Sequence, residues 1–156
     1  MASAPSSRKC RHAQANRPGV IPGAPYWRGT ARDVAWGRKI LLAGWVDGML
    51  AGTVTLAVAM PENQPHRAEV AKLLVDPAIR RCGLARRLMT RLEQEALAAG
   101  RPPLMLDTQA GGGAETLYRS MGWHELGTMP GHALHMDGTF GDTVFFWKRL
   151  EQAAGG

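Results

Sequence analysis

Apolar and polar positions fall into a definite order only after the first 25 residues. Residues 1–25 are rich in Pro, Ser, Arg and Gly and nearly free of large apolar side chains. Such a segment cannot bury enough surface to offset the entropy of ordering, so a disordered basic tail is expected. From Tyr26 to Gly37 the apolar residues Tyr26, Trp27, Ala31, Val34 and Ala35 recur at helical spacing, and Gly37 is a stop signal. The spacing predicts a helix with Trp27 and Trp36 in the core. KILLAGWV and MLAGTVTLAVAM then read as strands, joined by the hairpin signal Asp47-Gly48. PENQPH is a turn and RAEVAKLLV a third strand. Thr53, Val54, Thr55, Val58, Val70 and Val75 supply the β-branched bias.

After Gly83 the period changes to that of an amphipathic helix. Leu84, Leu88, Leu92 and Ala96 stand at i, i+4 steps, with Met89 and Leu97 beside them. Gly100 closes this helix and the following Arg-Pro-Pro prevents its continuation. PLMLDT reads as a buried strand. GGGAETLYRSMGW reads as a glycine-rich turn and a short helix ending at Gly122. WHELGTM and TVFFWKRL are the last strands, with PGHALHMDGTFGD as a long loop between them. An antiparallel meander feeding one βαβ unit predicts an α+β, or mixed α/β, layered fold. The folded domain is expected over 26–150, with a flexible tail over 151–156.

The chain has 156 residues, which suits a single domain, and 45% apolar residues, which suffices for a core. No apolar run reaches the roughly 18 residues of a membrane span, and no apolar segment follows the early basic residues as a secretory signal requires. Cys10 and Cys82 are the only cysteines. They read as free thiols in a reducing cytosol, so a cytoplasmic location is expected. No Cys/His spacing suggests a metal site. The net charge of +6 is concentrated near the start, where residues 1–46 hold eight Lys+Arg and the single acid Asp33. The excess lies mostly in a tail without interleaved aromatics, so nucleic acid is not an expected partner.

The stretch KLLVDPAIRRCGLARRLM, residues 72–89, places a glycine turn between a strand and a helix. The first N–H groups of a helix have no internal acceptor, and the helix dipole adds positive charge there, so anions bind at such ends. Gly83 lets the backbone approach a ligand, Ala85 keeps the next turn uncrowded, and Arg80, Arg81, Arg86 and Arg87 add charge. No Lys-Ser/Thr follows Gly83, so this is not a P-loop, and the G-x-G-x-x-G fingerprint is also absent. What remains is Arg80-x-x-Gly83-x-Ala85 after Leu73-Leu74-Val75. It resembles the pyrophosphate loop R/Q-x-x-G-x-G/A of the GNAT acetyltransferase superfamily, which binds acetyl-coenzyme A. Downstream, Ala114 to Trp123 resembles that superfamily's A-x-x-L/F-Y-x-x-x-G-F/W helix. The resemblance implies a sheet that splays at its parallel strand, with pantetheine in the splay. It implies cofactor contacts from Leu73, Leu74, Val75, Arg80, Arg81, Cys82, Gly83, Leu84, Ala85 and Arg86.

His66 to Val75 further resembles a strand of the tabtoxin resistance protein family, as do Leu106-Asp107-Thr108, Pro130-Gly131-x-Ala133 and Asp137-Gly138. That likeness implies an amine acceptor such as tabtoxinine-β-lactam, with Glu69 and Asp107 as candidate bases and Tyr118 as general acid. Acetyl transfer needs a neutral amine, so a base must remove a proton from the ammonium. By period 2, Glu69 shares a strand face with Ala71, Leu73 and Val75. Asp107 ends the neighbouring strand, and two close carboxylates push one pKa upward. Backbone N–H groups near Leu73 and Leu74 are expected to hold the oxyanion. Tyr118 would protonate the leaving thiolate. This is direct transfer, and Cys82 has no nucleophilic role.

Other readings of the same residues stay open. Glu69 could simply pair with Arg67 or Lys72, Asp107 could cap the Gly111–Gly113 turn, and Tyr118 could be core. His66, His124, His132 and His135 read as surface or turn residues, although His132, His135, Trp123 and Trp147 are candidates to line an acceptor pocket. GNAT chains usually open with a strand and one or two helices before the region that starts near Tyr26, so those elements are expected to be missing or replaced. The alternative to an acyltransferase is therefore a catalytically weak or truncated acetyl-CoA-binding module. A homodimer would be in keeping with the superfamily.

Overall fold

The computed structural model describes residues 23–79 and 82–151. Nearly all of the expected basic tail, Arg80, Arg81 and residues 152–156 lie outside the described residues. The elements in chain order are α1 (Ala24–Ala35), β1 (Lys39–Val46), β2 (Met49–Ala57), β3 (Ala68–Val75), α2 (Leu84–Ala98), β4 (Pro103–Gln109), α3 (Ala114–Ser120), β5 (His124–Leu134) and β6 (Phe140–Arg149). They form one six-stranded sheet in the order β1-β2-β3-β4-β6-β5. Only β3 and β4 run parallel, and every other pairing is antiparallel. This is the expected mixed α/β fold, with α2 as the crossover between the parallel strands.

The two faces of the sheet differ. Val54, Leu56, Val70, Leu106, Val144 and Phe146 join Leu84, Leu88, Met89, Leu92 and Ala96 of α2 in one core. Tyr118 of α3 packs on Phe146 with ring centroids 5.7 Å apart, so α3 lies on this helical face too. On the opposite, open face α1 alone supplies cover among the described residues. Lys39 pairs with Asp33 at 2.9 Å, and the ammonium groups of Lys39 and Lys72 lie 5.9 and 5.1 Å from the Tyr26 ring. α1 therefore shields the β1–β3 side, and no described helix covers β4, β6 and β5 on this face.

Several expectations change at this level. α1 starts at Ala24, inside the expected tail, because Pro25 suits a first helical turn. Trp36 is not core: it is 65% exposed at the end of α1, with the Arg38 guanidinium 4.6 Å from its ring. The long loop expected over 130–142 is mostly strand. Leu134 pairs with Phe140 and Ala133 with Gly141, so only a short turn separates β5 from β6. A register shift between Met129 and Ala133 absorbs Pro130 and Gly131, which mask the alternation in the sequence.

The contact between α2 and the sheet depends on a pair of glycines whose purpose is invisible in the sequence. Gly44 and Gly52 face each other across β1 and β2. A Cβ at Gly52 would sit 2.9 Å from the Leu74 carbonyl oxygen and 3.2 Å from Leu88. A Cβ at Gly44 would sit 2.7 Å from a Leu84 methyl. Their missing side chains let the first turns of α2 settle against the sheet beside the end of β3.

Candidate active site

The turn after β3 is held by its own residues. The Asp76 carboxylate accepts the Ala78 amide at 2.8 Å, and the Asp76 carbonyl accepts the Ile79 amide at 2.9 Å. The chain reaches α2 through Gly83, whose φ of +69° glycine adopts without the strain a side chain would bring. No side chain caps the start of α2 and its first turn holds no acid, so its amides stay available to an anion. A Cβ at Gly83 would meet nothing within 4 Å, so the space there is open. Leu84 is buried in the core, Ala85 is half-buried, and Arg86 reaches Ser120 Oγ of α3 at 2.5 Å. Cys82 is disulfide-bonded and half-buried against the core, so the expectation of a free thiol there does not hold.

The parallel ladder is short. It pairs Ala68, Glu69 and Val70 with Leu104, Met105 and Leu106, and then ends. From Ala71 onward the side of β3 that faces β4 has no strand partner. Here β3 also bulges: Lys72 has φ of +54°, and the register with β2 shifts between Thr53 and Thr55. Thr55 and Thr53 secure the bulge by donating their hydroxyls to the carbonyls of Ala71 and Lys72 at 2.9 and 3.2 Å. The extra residue reverses the alternation that the sequence suggests. Leu73 and Val75 do not share the face of Glu69; they pack against the core on the helical face. Leu74 takes the open side, opposite Thr53.

The three candidate catalytic residues flank this splay in different environments. Glu69 is about half-exposed, and its carboxylate is held by Arg67 at 2.7 Å. The plainer reading of Glu69, an ion pair with Arg67, is therefore present in the structure. Asp107 lies on the same sheet face, two residues beyond the Glu69 partner Met105 and directly opposite Phe145. It is exposed and makes no hydrogen bond or ion pair among the described residues. It does not cap the glycine turn: the Gly111 amide donates instead to Glu115 at 2.6 Å. That contact and Arg119 hold the Glu115 carboxyl below its usual range. Tyr118 is buried between Trp123 and Phe146. Burial first, and then the charge of Asp107, push its hydroxyl up to about 12.

Of the other candidates, Trp123 is core rather than pocket, and donates its indole N–H to Glu93 at 3.1 Å. His135 belongs to the turn between β5 and β6, where its backbone pairs with Thr139 at 2.8 Å. His132 and Trp147 do reach the open face, His132 meeting the Phe145 ring at 5.2 Å and Trp147 meeting His124 at 5.0 Å. A half-buried polar cluster has no counterpart in the sequence pattern. Lys148 Nζ donates to both oxygens of Glu93 at 2.9 and 2.8 Å and to the Met121 carbonyl at 2.7 Å. It ties α2, the turn after α3 and β6 together. Its members are far apart in sequence, so no local spacing announces it.

A sheet splayed beside a parallel strand, with a glycine-started helix at the splay, is the architecture of an acyltransferase of the GNAT type. Residues 11–123 match the model of the Acetyltransferase (GNAT) family, and the chain belongs to that family. The match begins well inside the segment expected to be a tail. Among curated proteins, the chain is 37% identical over 86 residues to an uncharacterized N-acetyltransferase from the hisH-hisA intergenic region of Azospirillum brasilense. That alignment covers 54% of this chain and 49% of the relative, so the chain spans about half the length of the curated relative it matches. Among solved structures it is similar to a ribosomal-protein-alanine N-acetyltransferase from Brucella melitensis, with TM-score 0.71, 24% identity, and coverage of 85% of this chain and 81% of that one. It is also similar to an acetyltransferase structure from Salmonella typhimurium with its cofactor acetyl-CoA, with TM-score 0.71, 20% identity, and coverage of 88% and 79%. At these identities the structural likeness establishes the fold.

Proposed function

We propose that this protein moves an acetyl group from acetyl-CoA to a primary amine by direct transfer. The observation behind this reading is the splay between β3 and β4, which has the uncapped start of α2 at one end and Asp107 and Tyr118 at the other. Acetyl-CoA supplies the acetyl group as an activated thioester. The amides of Gly83, Leu84, Ala85 and Arg86 hold its pyrophosphate, helped by Arg80 and Arg81 and by the helix dipole. The unpaired edge of Leu73, Leu74 and Val75 offers backbone groups to the pantetheine arm and to the developing oxyanion.

Asp107 is the better base of the two carboxylates. It has no ionic partner among the described residues, whereas Arg67 neutralises Glu69. Asp107 takes the ammonium proton and leaves the nitrogen lone pair free to attack. Tyr118 keeps its proton at neutral pH and delivers it to the departing thiolate.

The likeness of residues 66–75 to a toxin-resistance strand supports a small-molecule acceptor, such as a toxin or antibiotic, and the reading includes a homodimer. No described helix is long and apolar enough to cross a membrane. The test is an amine panel that includes a peptide beginning with alanine, the acceptor residue named for the Brucella melitensis neighbour, read by thiol release. Asp107→Asn should lower kcat at least a hundredfold and Glu69→Gln by less than tenfold. Equal losses for both, or none for Asp107→Asn, overturn the assignment of the base.

A further inference from the structure

We infer that the open face beyond Asp107 is an acceptor subsite built for a primary amine carrying a flat aromatic body. The inference rests on the transferase reading above. It starts from strand register. Asp107 faces Phe145 across the β4–β6 ladder, and Met105 faces Trp147. All four side chains therefore share the open face, and Phe145 and Trp147, two residues apart, stand about 7 Å from one another along β6.

Two further side chains wall this floor. The shift in β5 between Met129 and Ala133 swings His132 over the sheet, where it meets the Phe145 ring edge-on at 71°. The shift is locked where the Gly131 amide donates to the Asp142 carboxylate at 2.9 Å. At the other end His124 lies against Trp147 at 5.0 Å with a tilt of 32°. Trp147 still keeps 39% of its surface exposed, so part of the ring can receive a ligand. Partly exposed aromatic rings beside a carboxylate with no ionic partner among the described residues suit an organic cation. The carboxylate takes the ammonium and the ring faces take a flat body. The repeat along β6 suits a ring two or three bonds from the nitrogen. A flexible aliphatic polyamine would leave the rings uncovered and would want a second acid there, whereas Glu69 is already neutralised by Arg67.

The test compares phenethylamine and tryptamine with putrescine as acceptors, for the wild type, Trp147→Ala, His132→Ala and the control Trp45→Ala on the distant β1–β2 hairpin. The aromatic amines should show at least tenfold higher kcat/KM than putrescine. Trp147→Ala should raise their KM about fivefold or more, with KM for acetyl-CoA and the melting temperature little changed, and His132→Ala should act in the same direction. Trp45→Ala should change nothing. In parallel, binding of the same amines to the free protein and to its CoA complex is read by calorimetry. Amine binding lost in Trp147→Ala supports the subsite even where turnover is slow. If acetyl-CoA binds but putrescine matches the aromatic amines, or none of the amines binds, the subsite is overturned while the transferase reading stands. If acetyl-CoA does not bind, the transferase reading falls, and the subsite falls with it unless the amines still bind.

Discussion

Removing the Glu93 carboxylate tests whether the half-buried polar cluster holds the site-bearing elements together. In Glu93→Ala the Lys148 ammonium loses both carboxylate contacts and keeps only the Met121 carbonyl, and the Trp123 indole loses its acceptor. The side chains of Lys148 and Glu93 are 20% and 15% exposed, so water replaces these bonds only in part. Breaking a fully buried pair costs about 3–5 kcal/mol, and partial exposure lowers the expectation to roughly 2–3 kcal/mol. For a domain of this size that corresponds to a fall in melting temperature of about 4–12 °C. Circular dichroism melts and urea titrations at pH 7 measure it. Glu93→Gln keeps an acceptor for Trp123 and should lose less. Replacing Glu93 and Lys148 together by Met should recover much of the loss, because no buried charge is then left alone. A Glu93→Ala melting point within 2 °C of wild type would refute the reasoning and mark the cluster as solvated.

Other predictions follow from the same geometry. Gly52→Ala should destabilise by about 1–3 kcal/mol, because the new methyl meets backbone, whereas Gly44→Ala meets a movable leucine methyl and should cost less than about 1 kcal/mol; urea midpoints decide the order. Tyr118 holds its proton up to about 12 against an ordinary 10, so its contribution of roughly 2–3 kcal/mol is complete below pH 10 and is lost as pH rises from 10 through 12. Ultraviolet titration should show this tyrosinate forming near pH 12, and Tyr118→Phe should abolish that step; a wild-type titration complete by pH 10.5 would contradict it. Tyr118→Phe should also cut kcat tenfold or more in stopped assays of thiol release, with little change in acetyl-CoA affinity.

Much of the scaffold is legible in the chain because its signals are local. Asp47-Gly48 sits between two β-branched runs, and the structure places both residues at positive φ in that turn. The i, i+4 leucines of α2 are the ones it buries. The failures arise where a tertiary contact overrides period. Lys72 occupies a left-handed conformation because the two threonines of β2 hold the bulge, and nothing around Lys72 in the sequence marks it. As a result Leu73 and Val75 face the helices rather than the side of Glu69. Trp36 reads as core from spacing alone, yet the sheet under the end of α1 offers nothing to cover it. The glycine motif at Gly83 and the helix at Tyr118 were readable because ligand contacts demand fixed residue types. The partner of Glu69 was only one of two alternatives until its distance to Arg67 was seen.

The central claim is that Gly83 starts a helix whose amides grip the pyrophosphate of acetyl-CoA at the sheet splay. Isothermal calorimetry of the purified chain with acetyl-CoA, repeated on Gly83→Asp, tests it most directly. The account predicts binding of one acetyl-CoA per chain in the wild type. In the variant it predicts at least a hundredfold weaker binding from a sample that still folds, because a side chain at φ of +69° is strained and its charge opposes the phosphates. Undiminished binding in a folded Gly83→Asp protein, or no binding in the wild type, would contradict it.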